Sequence, residues 1–388
     1  MKRMKRMKHV FYAGLALVAL ASCSQDETTD VDKTGSIGFR TSLGKTTRAE
    51  IKLNNLNSFN VTAFPNAGGS NYFADLAVSS SDAGVTWNTA SVYYWPAGTL
   101  DFTAYAPTSI SSRVSIAHGA GNQKITGFEP EQTVANQKDV VAAFRSGDKA
   151  TYGASGVPMN FKHILSQIEV QAKCTNPNMR VRVVGVKLGN VNSKGDFAFP
   201  QVATDPSYAV PLANWSNVNT LNQYGVETAA PATHVELSAA EQSIMFGTDN
   251  NFMMIPKQLT AYEKTSAPSG AYIGVLCRMD INDGHGNYTA LYPSAITTEY
   301  AFSAVGIGTK WEPGKKYIYT LEFGNGTGGN GGGGVVAPDN NNPGGSTVTP
   351  TNPTNPFPNT PGDPILGQPI KFTVSVDNWT DQSESAIM

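Results

Sequence analysis

The sequence predicts an all-β protein of two β-sandwich domains in tandem. Short runs in which apolar and polar residues alternate recur between turn residues, at 59–64, 92–95, 100–105, 140–144, 161–172, 181–188, 252–255, 272–281, 317–323 and 370–376. A period of two marks strands with one face buried, and its repetition between turns reads as an antiparallel sandwich. Glycine (38) and proline (23) are abundant, and both punctuate strands and break helices. The chain of 388 residues is long enough for two domains of ordinary size. The turn-rich segment 151–158 divides them, giving domains at 49–155 and 156–323.

The first residues carry a signal for export. Lys2, Arg3, Lys5, Arg6 and Lys8 precede the apolar run 10–20, which is shorter than the roughly 20 residues that span a bilayer. Basic residues before a short apolar run make a signal peptide over 1–22, not a structural helix. The small residues Ala21 and Ser22 before Cys23 fit lipoprotein processing, in which the Cys23 thiol is acylated and becomes the mature N-terminus. Residues 23–48 then form a propeptide with an acidic, solvated tether (Asp26, Glu27, Asp30, Asp32) and one strand-like piece.

The formal charge of −2 includes the five signal bases; without them 23 basic residues face 30 acidic ones, a balance of −7. A mildly acidic surface argues against nucleic acid as a partner. Cys174 and Cys277 both fall in strand-like runs, where buried free thiols are the plain reading. The segment 280–287 has the look of a calcium loop but fails its register: Gly284 occupies the fifth position, and Leu291 stands where a bidentate Glu is needed. It reads as a hairpin turn. His163 alternates with apolar residues and reads as a core histidine. Among Trp87, Tyr93, Tyr94 and Trp95, core packing or cover of a sheet edge is favoured over stacking on a sugar. No motif for a nucleophile, a metal or a cofactor stands out, so the expectation is a non-enzyme.

Two strands, one near each end, draw attention. In the first, Ile37, Phe39 and Leu43 share a face. Arg48 and Ala49 follow in a polar stretch, a basic position suited to proteolytic cleavage. In the second, Ile370, Phe372, Val374 and Val376 share a face, with Lys371, Thr373 and Ser375 on the other. Before it, 324–368 is almost entirely Gly, Asn, Pro and Thr, a composition that cannot bury a core and reads as a flexible linker. The residues leave two destinations open for the strand in 369–388: its own domain, or a neighbouring chain. Cleavage after Arg48 would remove the first strand and leave a slot that such a strand could fill.

At these residues the chain resembles the fimbrillin family, the pilin subunits of Bacteroidales fimbriae. The matching pieces are the lipobox ending in Cys23, Ile37-x-Phe39, Thr47-Arg48-Ala49, Tyr94-Trp95-Pro96, Phe102-x-Ala104-Tyr105-Ala106-Pro107, and Phe161-x-His163-x-Leu165-Ser166-x-Ile168. Met254-Ile255-Pro256, Trp311-x-Pro313-Gly314-Lys315-x-Tyr317-x-Tyr319 and the closing 374–379 complete the series. The resemblance implies transthyretin-like Greek-key sandwiches and export as an outer-membrane lipoprotein. The residues after Cys23 are similar to the acidic tags that direct such lipoproteins to the cell surface. It further implies cleavage after Arg48 by an arginine-specific protease, and polymerisation with other subunits by donor-strand exchange, in support of adhesion and biofilm. No cofactor is implied. The alternative is a surface glycan-binding lipoprotein with the same anchor and sandwiches. Position in a fimbria, whether stalk, tip or anchor, stays open, as does any adhesion ligand.

Overall fold

The structure is a computed structural model that describes residues 35–43, 56–119, 122–229, 231–247, 251–293, 300–324, 334–338, 362–365 and 370–378. Cys23, Arg48 and Ala49 lie outside the described residues. In chain order the first strands are β1 (Phe39–Leu43), β2 (Ser58–Pro65), β3 (Phe73–Ser79), β4 (Asn88–Thr89), β5 (Leu100–Ala106), β6 (Val114–Ser115) and β7 (Lys124–Phe128). Then come β8 (Val141–Gly147), the short helix α1 (Lys149–Tyr152), β9 (Val157–His163), β10 (Ser166–Cys174), β11 (Met179–Ala198) and β12 (Trp215–Glu227). Next are β13 (Val235–Glu236), β14 (Gln242–Ser243), β15 (Phe252–Met254), β16 (Tyr272–Asn282) and β17 (Tyr288–Tyr292). The last are β18 (Ala301–Gly306), β19 (Lys315–Phe323), β20 (Val335–Val336) and β21 (Lys371–Asn378). The protein is nearly all β, as its alternating pattern predicts.

Three sheets result among the described residues. The first has the order β1-β9-β8-β5-β2-β3-β4 and curls around a core that includes Phe39, Phe59, Phe102, Trp87, Trp95 and Phe161. The second has the order β14-β10-β19-β21, with β15 also on β10; the third runs β20-β18-β16-β11-β7-β6, with β12 and β13 on β11 and β17 on β16. These two enclose the largest core, in which Trp311 is fully buried and its indole N–H donates to Tyr319 Oη at 2.9 Å. Most ladders are antiparallel, but β1 runs parallel to β9 and β10 parallel to β19. A wholly antiparallel expectation therefore needs correcting. Alternation reports which face is buried and is blind to the direction of the neighbour.

The division expected after residue 155 also shifts. The apolar run 161–172 is two strands: β9 belongs to the first sheet and β10 to the second, with Ile164 and Leu165 between them. Both strands and the link are buried, so hydrophobicity never drops where the chain changes sheets. Nor is the first half self-contained, because β6 and β7 pair into the third sheet through β11. β11 pairs with β16 over its first half and with β7 near its end, and so ties both halves together. A junction core of Tyr105, Ile125, Leu165, Phe197, Trp215 and Ile255 fills the space between them.

The segment 324–368 is not all spacer. Val336, Ala337 and Ile365 are buried, β20 pairs with β18, and Ile365 N–H donates to the Gly334 carbonyl at 2.7 Å. Two apolar islands, Val335-Val336-Ala337 and Ile365, sit inside a Gly, Asn and Pro background and find a surface to cover.

Trp215 tests the junction. Its indole N–H donates to the Ile164 carbonyl at 2.8 Å, at the point where the chain crosses between sheets. In Trp215→Phe the ring remains and the buried carbonyl loses its donor, so urea unfolding should show a loss of about 1–3 kcal/mol. An unchanged midpoint would count against this bond as a fastening of the junction.

Candidate functional site

The site consists of the first strand and the slot that holds it. Gly35, in a left-handed conformation (φ 98°) that favours glycine, begins the segment. There the chain is gripped on both sides. Ile37 N–H donates to the Tyr93 carbonyl at 2.7 Å and Trp95 N–H to the Gly35 carbonyl at 3.3 Å, while Val157 N–H donates to the Gly38 carbonyl at 2.9 Å. From Phe39 onward β1 has one ladder partner among the described residues, β9, in the register Phe39↔Val157, Thr41↔Met159, Leu43↔Phe161. β1 is thus an edge strand of the first sheet.

Its apolar face is nevertheless core. Ile37, Phe39 and Leu43 are each 7% exposed or less. Phe39 packs edge-on against Phe59 and Phe102, at centroid distances of 6.0 and 6.1 Å. On the outward face, Ser42 Oγ donates to Asn160 Oδ1. Sequence reasoning found the strand and its inward residues. It missed β9, Asn160 and the 93–95 grip, because nothing local to residues 37–43 encodes a partner more than a hundred positions away.

The second strand folds back at home. β21 pairs antiparallel with β19 along its full length, from Lys315↔Asn378 to Glu322↔Lys371. Ile370 is buried, and Phe372 lies 6.1 Å from the Tyr319 ring, but Phe372 and Val374 are only half-buried and Val376 is 52% exposed. Ile370, Phe372, Val374 and Val376 therefore do share a face, yet that face is incompletely covered. The arm leading to it is clasped at 334–338 and 362–365, where Val336 N–H donates to the Asp363 carbonyl at 2.9 Å and Lys264 pairs with Asp363.

The other groups singled out in the sequence are structural. His163 Nδ1 lies 2.7 Å from Asp139 Oδ2, both residues buried at the end of β9. Beside it, burial pushes the Lys162 ammonium below its usual value, against the opposing pull of Asp205. Cys174 and Cys277 are free and buried, and burial pushes the Cys277 thiol up to about 12, far from a reactive thiolate. Residues 282–287 form the turn between β16 and β17, with Asp283 Oδ1 accepting from His285 N–H at 2.8 Å. Trp87 and Trp95 are in the core, whereas Tyr94 is 58% exposed. Among the described residues no helix is long and apolar enough to cross a membrane.

A family model described as fimbrillin-like matches residues 47–350. The chain belongs to the fimbrillin-like family. In fold, this fimbrillin-like chain is similar to a fimbrial protein from Bacteroides vulgatus (TM-score 0.51, 14% identity), over 89% of this chain and 99% of that one. It is similar also to a candidate cell adhesion protein from Parabacteroides distasonis (TM-score 0.50, 12% identity), over 90% of this chain and 98% of that one. No curated protein matches it. Membership places the chain in a family of fimbrial, cell-surface proteins that assemble with other pilin subunits.

If Phe39 anchors β1, Phe39→Ala in the uncleaved protein should cost about 3–5 kcal/mol on denaturant unfolding. Leu221→Ala, at an exposed position of β12, should stay within about 0.5 kcal/mol of the parent. Equal effects from the two would remove Phe39 from the core.

Proposed function

We propose that this fimbrillin-like protein is a non-enzymatic structural subunit of a cell-surface fimbria that supports adhesion and biofilm. It is exported as a lipoprotein acylated at Cys23 and held at the outer membrane by that lipid. An arginine-specific protease then cuts between Arg48 and Ala49, and subunits join by donor-strand exchange. The observation that carries this reading is that β1, on the signal side of Arg48, is an edge strand whose Phe39 and Leu43, with Ile37 just before it, are core. Apart from the short grip of Tyr93 and Trp95 on residues 35–37, the strand can leave without breaking a second ladder, whereas losing its side chains opens the core.

Magnitudes favour replacement over simple loss. Burying three such side chains stabilises by about 1.5–3 kcal/mol each, a sum comparable with the total stability of about 5–15 kcal/mol of an ordinary domain. A subunit stripped of β1 is therefore close to unfolding until another strand enters the slot. Entry by β-augmentation restores main-chain bonds along β9 and refills the apolar pockets. Because the donor and the slot are different surfaces, repetition gives an open fibre, not a closed ring.

The distribution of arginine supports a single cut. After Cys23 the arginines other than Arg48 are Arg40 in β1, Arg113 in the 3-10 helix Thr108–Arg113, Arg145 in β8, Arg180 and Arg182 in β11, and Arg278 in β16. Each is held in regular structure, and a protease needs an extended, accessible backbone. A glycan-binding role remains the second reading. It now rests on exposed Tyr94, beside Tyr72, whose hydroxyl donates to the Tyr94 carbonyl at 2.5 Å, and no longer on Trp95.

Digestion of the lipid-free protein with an arginine-specific protease should give one N-terminus at Ala49 and a ladder of multimers in unboiled gels. Arg48→Ala should abolish both. A clean cut that leaves only monomers at every concentration would falsify self-assembly. Binding of sugar that survives Arg48→Ala and is lost in Tyr94→Ala would favour the second reading.

A further inference from the structure

The outward face of the third sheet concentrates positive charge. Val181 on β11, and Cys277 and Met279 on β16, point into the core. By alternation Arg180, Arg182, Arg278 and Asp280 share the opposite face. The register sets Arg180 across from Asp280 and Arg182 across from Arg278. Like charges directly opposite repel, and here one carboxylate holds three guanidiniums. Arg180 donates to Asp280 Oδ2 from Nε at 3.3 Å and from Nη2 at 3.2 Å. Arg182 Nη2 donates to the same oxygen at 2.6 Å, and Arg278 Nε lies 3.0 Å from Oδ1. Such a cluster breaks the rule for facing strands in a chain with more acids than bases. A local rule broken on a rigid sheet points to function.

Arg180 and Arg182 keep donors to spare. Arg182 Nε is enclosed with no acceptor. The Arg182 and Arg180 side chains nevertheless stay 17% and 27% exposed, so a ligand reaches them from solvent. Glu236 faces Arg182 across the β11–β13 ladder, but it is exposed and pairs with neither arginine among the described residues. An Nε–H without an acceptor beside an engaged Nη2 is a half-filled fork, and a carboxylate completes such a fork. Next to it Arg180 lies over Tyr288, its guanidinium carbon 3.8 Å from the ring centroid. That ring is itself 43% exposed.

We propose that this face binds a carboxylated sugar, its carboxylate held by Arg182 and Arg180 and its ring resting against Tyr288. The chemistry narrows the class. Two guanidiniums select an anion, and the planar fork of Arg182 suits the two in-plane oxygens of a carboxylate. A bare ion would use only the arginines. The exposed Tyr288 ring adds an apolar surface for the C–H face of a pyranose, with a hydroxyl at its tip. The arginines and Tyr288 stand on paired strands, which fix their spacing better than loops would. They belong to the third sheet, whereas β1 and β9 belong to the first. The site therefore serves the uncleaved and the assembled subunit alike, and it goes beyond the assembly reading without depending on it.

Ligand-observed NMR titration of the uncleaved Cys23→Ala protein tests this, with methyl glucuronoside, methyl glucoside and acetate as probes. Methyl glucuronoside should bind at least about tenfold tighter than methyl glucoside, since only the first offers a charge-assisted partner. Arg182→Gln should weaken methyl glucuronoside by at least about tenfold. Tyr288→Ala, at an exposed position that the fold tolerates, should weaken it about fivefold and leave acetate within about twofold. Acetate bound as tightly as methyl glucuronoside overturns the sugar. Tighter binding of glycyl-glutamyl-glycine amide puts a protein carboxylate in its place. Binding lost in Tyr94→Ala and kept in Arg182→Gln moves the sugar to the Tyr94 surface and overturns this site. No binding of any probe, or binding unchanged in both Arg182→Gln and Tyr288→Ala, reduces the cluster to a structural ion network. None of these outcomes touches strand exchange, which Arg48→Ala tests separately.

Discussion

Everything in the first half of this protein leans on one edge pairing, the five-residue parallel ladder between β1 and β9. Edge strands elsewhere are kept short, polar or covered, because an open edge invites other chains. Here the edge strand supplies Phe39 and Leu43 to the core, with Ile37 just before it. The sheet is complete only while an element with a single ladder partner stays in place. That combination, central in packing and peripheral in hydrogen bonding, makes the strand both necessary and removable.

The second half answers with the opposite arrangement. β21 is fully paired along β19, yet its apolar face is half-covered and its last valine is exposed. The clasp at β20 and residues 362–365 holds the arm against the domain from which the strand would depart. One strand is overcommitted in packing and undercommitted in pairing; the other is the reverse. The proposed exchange of strands between subunits would resolve both.

Much of this was legible in the sequence. The inward faces of both strands follow from a period of two, and so do β2, β5, β16 and β19. What did not follow had specific causes. Residues 161–172 looked like one strand because Ile164 and Leu165 are as buried as the strands they separate. Residues 92–95 alternate, but form an extended grip on Ser36 instead of a strand. The linker composition hid Val335-Val336-Ala337 and Ile365, whose few apolar side chains are outvoted by their neighbours. The partner of β1 was invisible because a parallel, long-range pairing leaves no local trace. The slot's demand for an aromatic in the Phe39 place became readable only once Phe59 and Phe102 were seen on either side of it.

Amide hydrogen exchange along β9 addresses the central claim most directly, with Val157 as the reporter because its N–H donates to Gly38 in the intact protein. Exchange should accelerate sharply when protein cut after Arg48 is isolated as a monomer, and protection should return in the multimer fraction. Protection that is unchanged by the cut, or that is lost and never regained in multimers, would contradict a slot that is emptied and refilled.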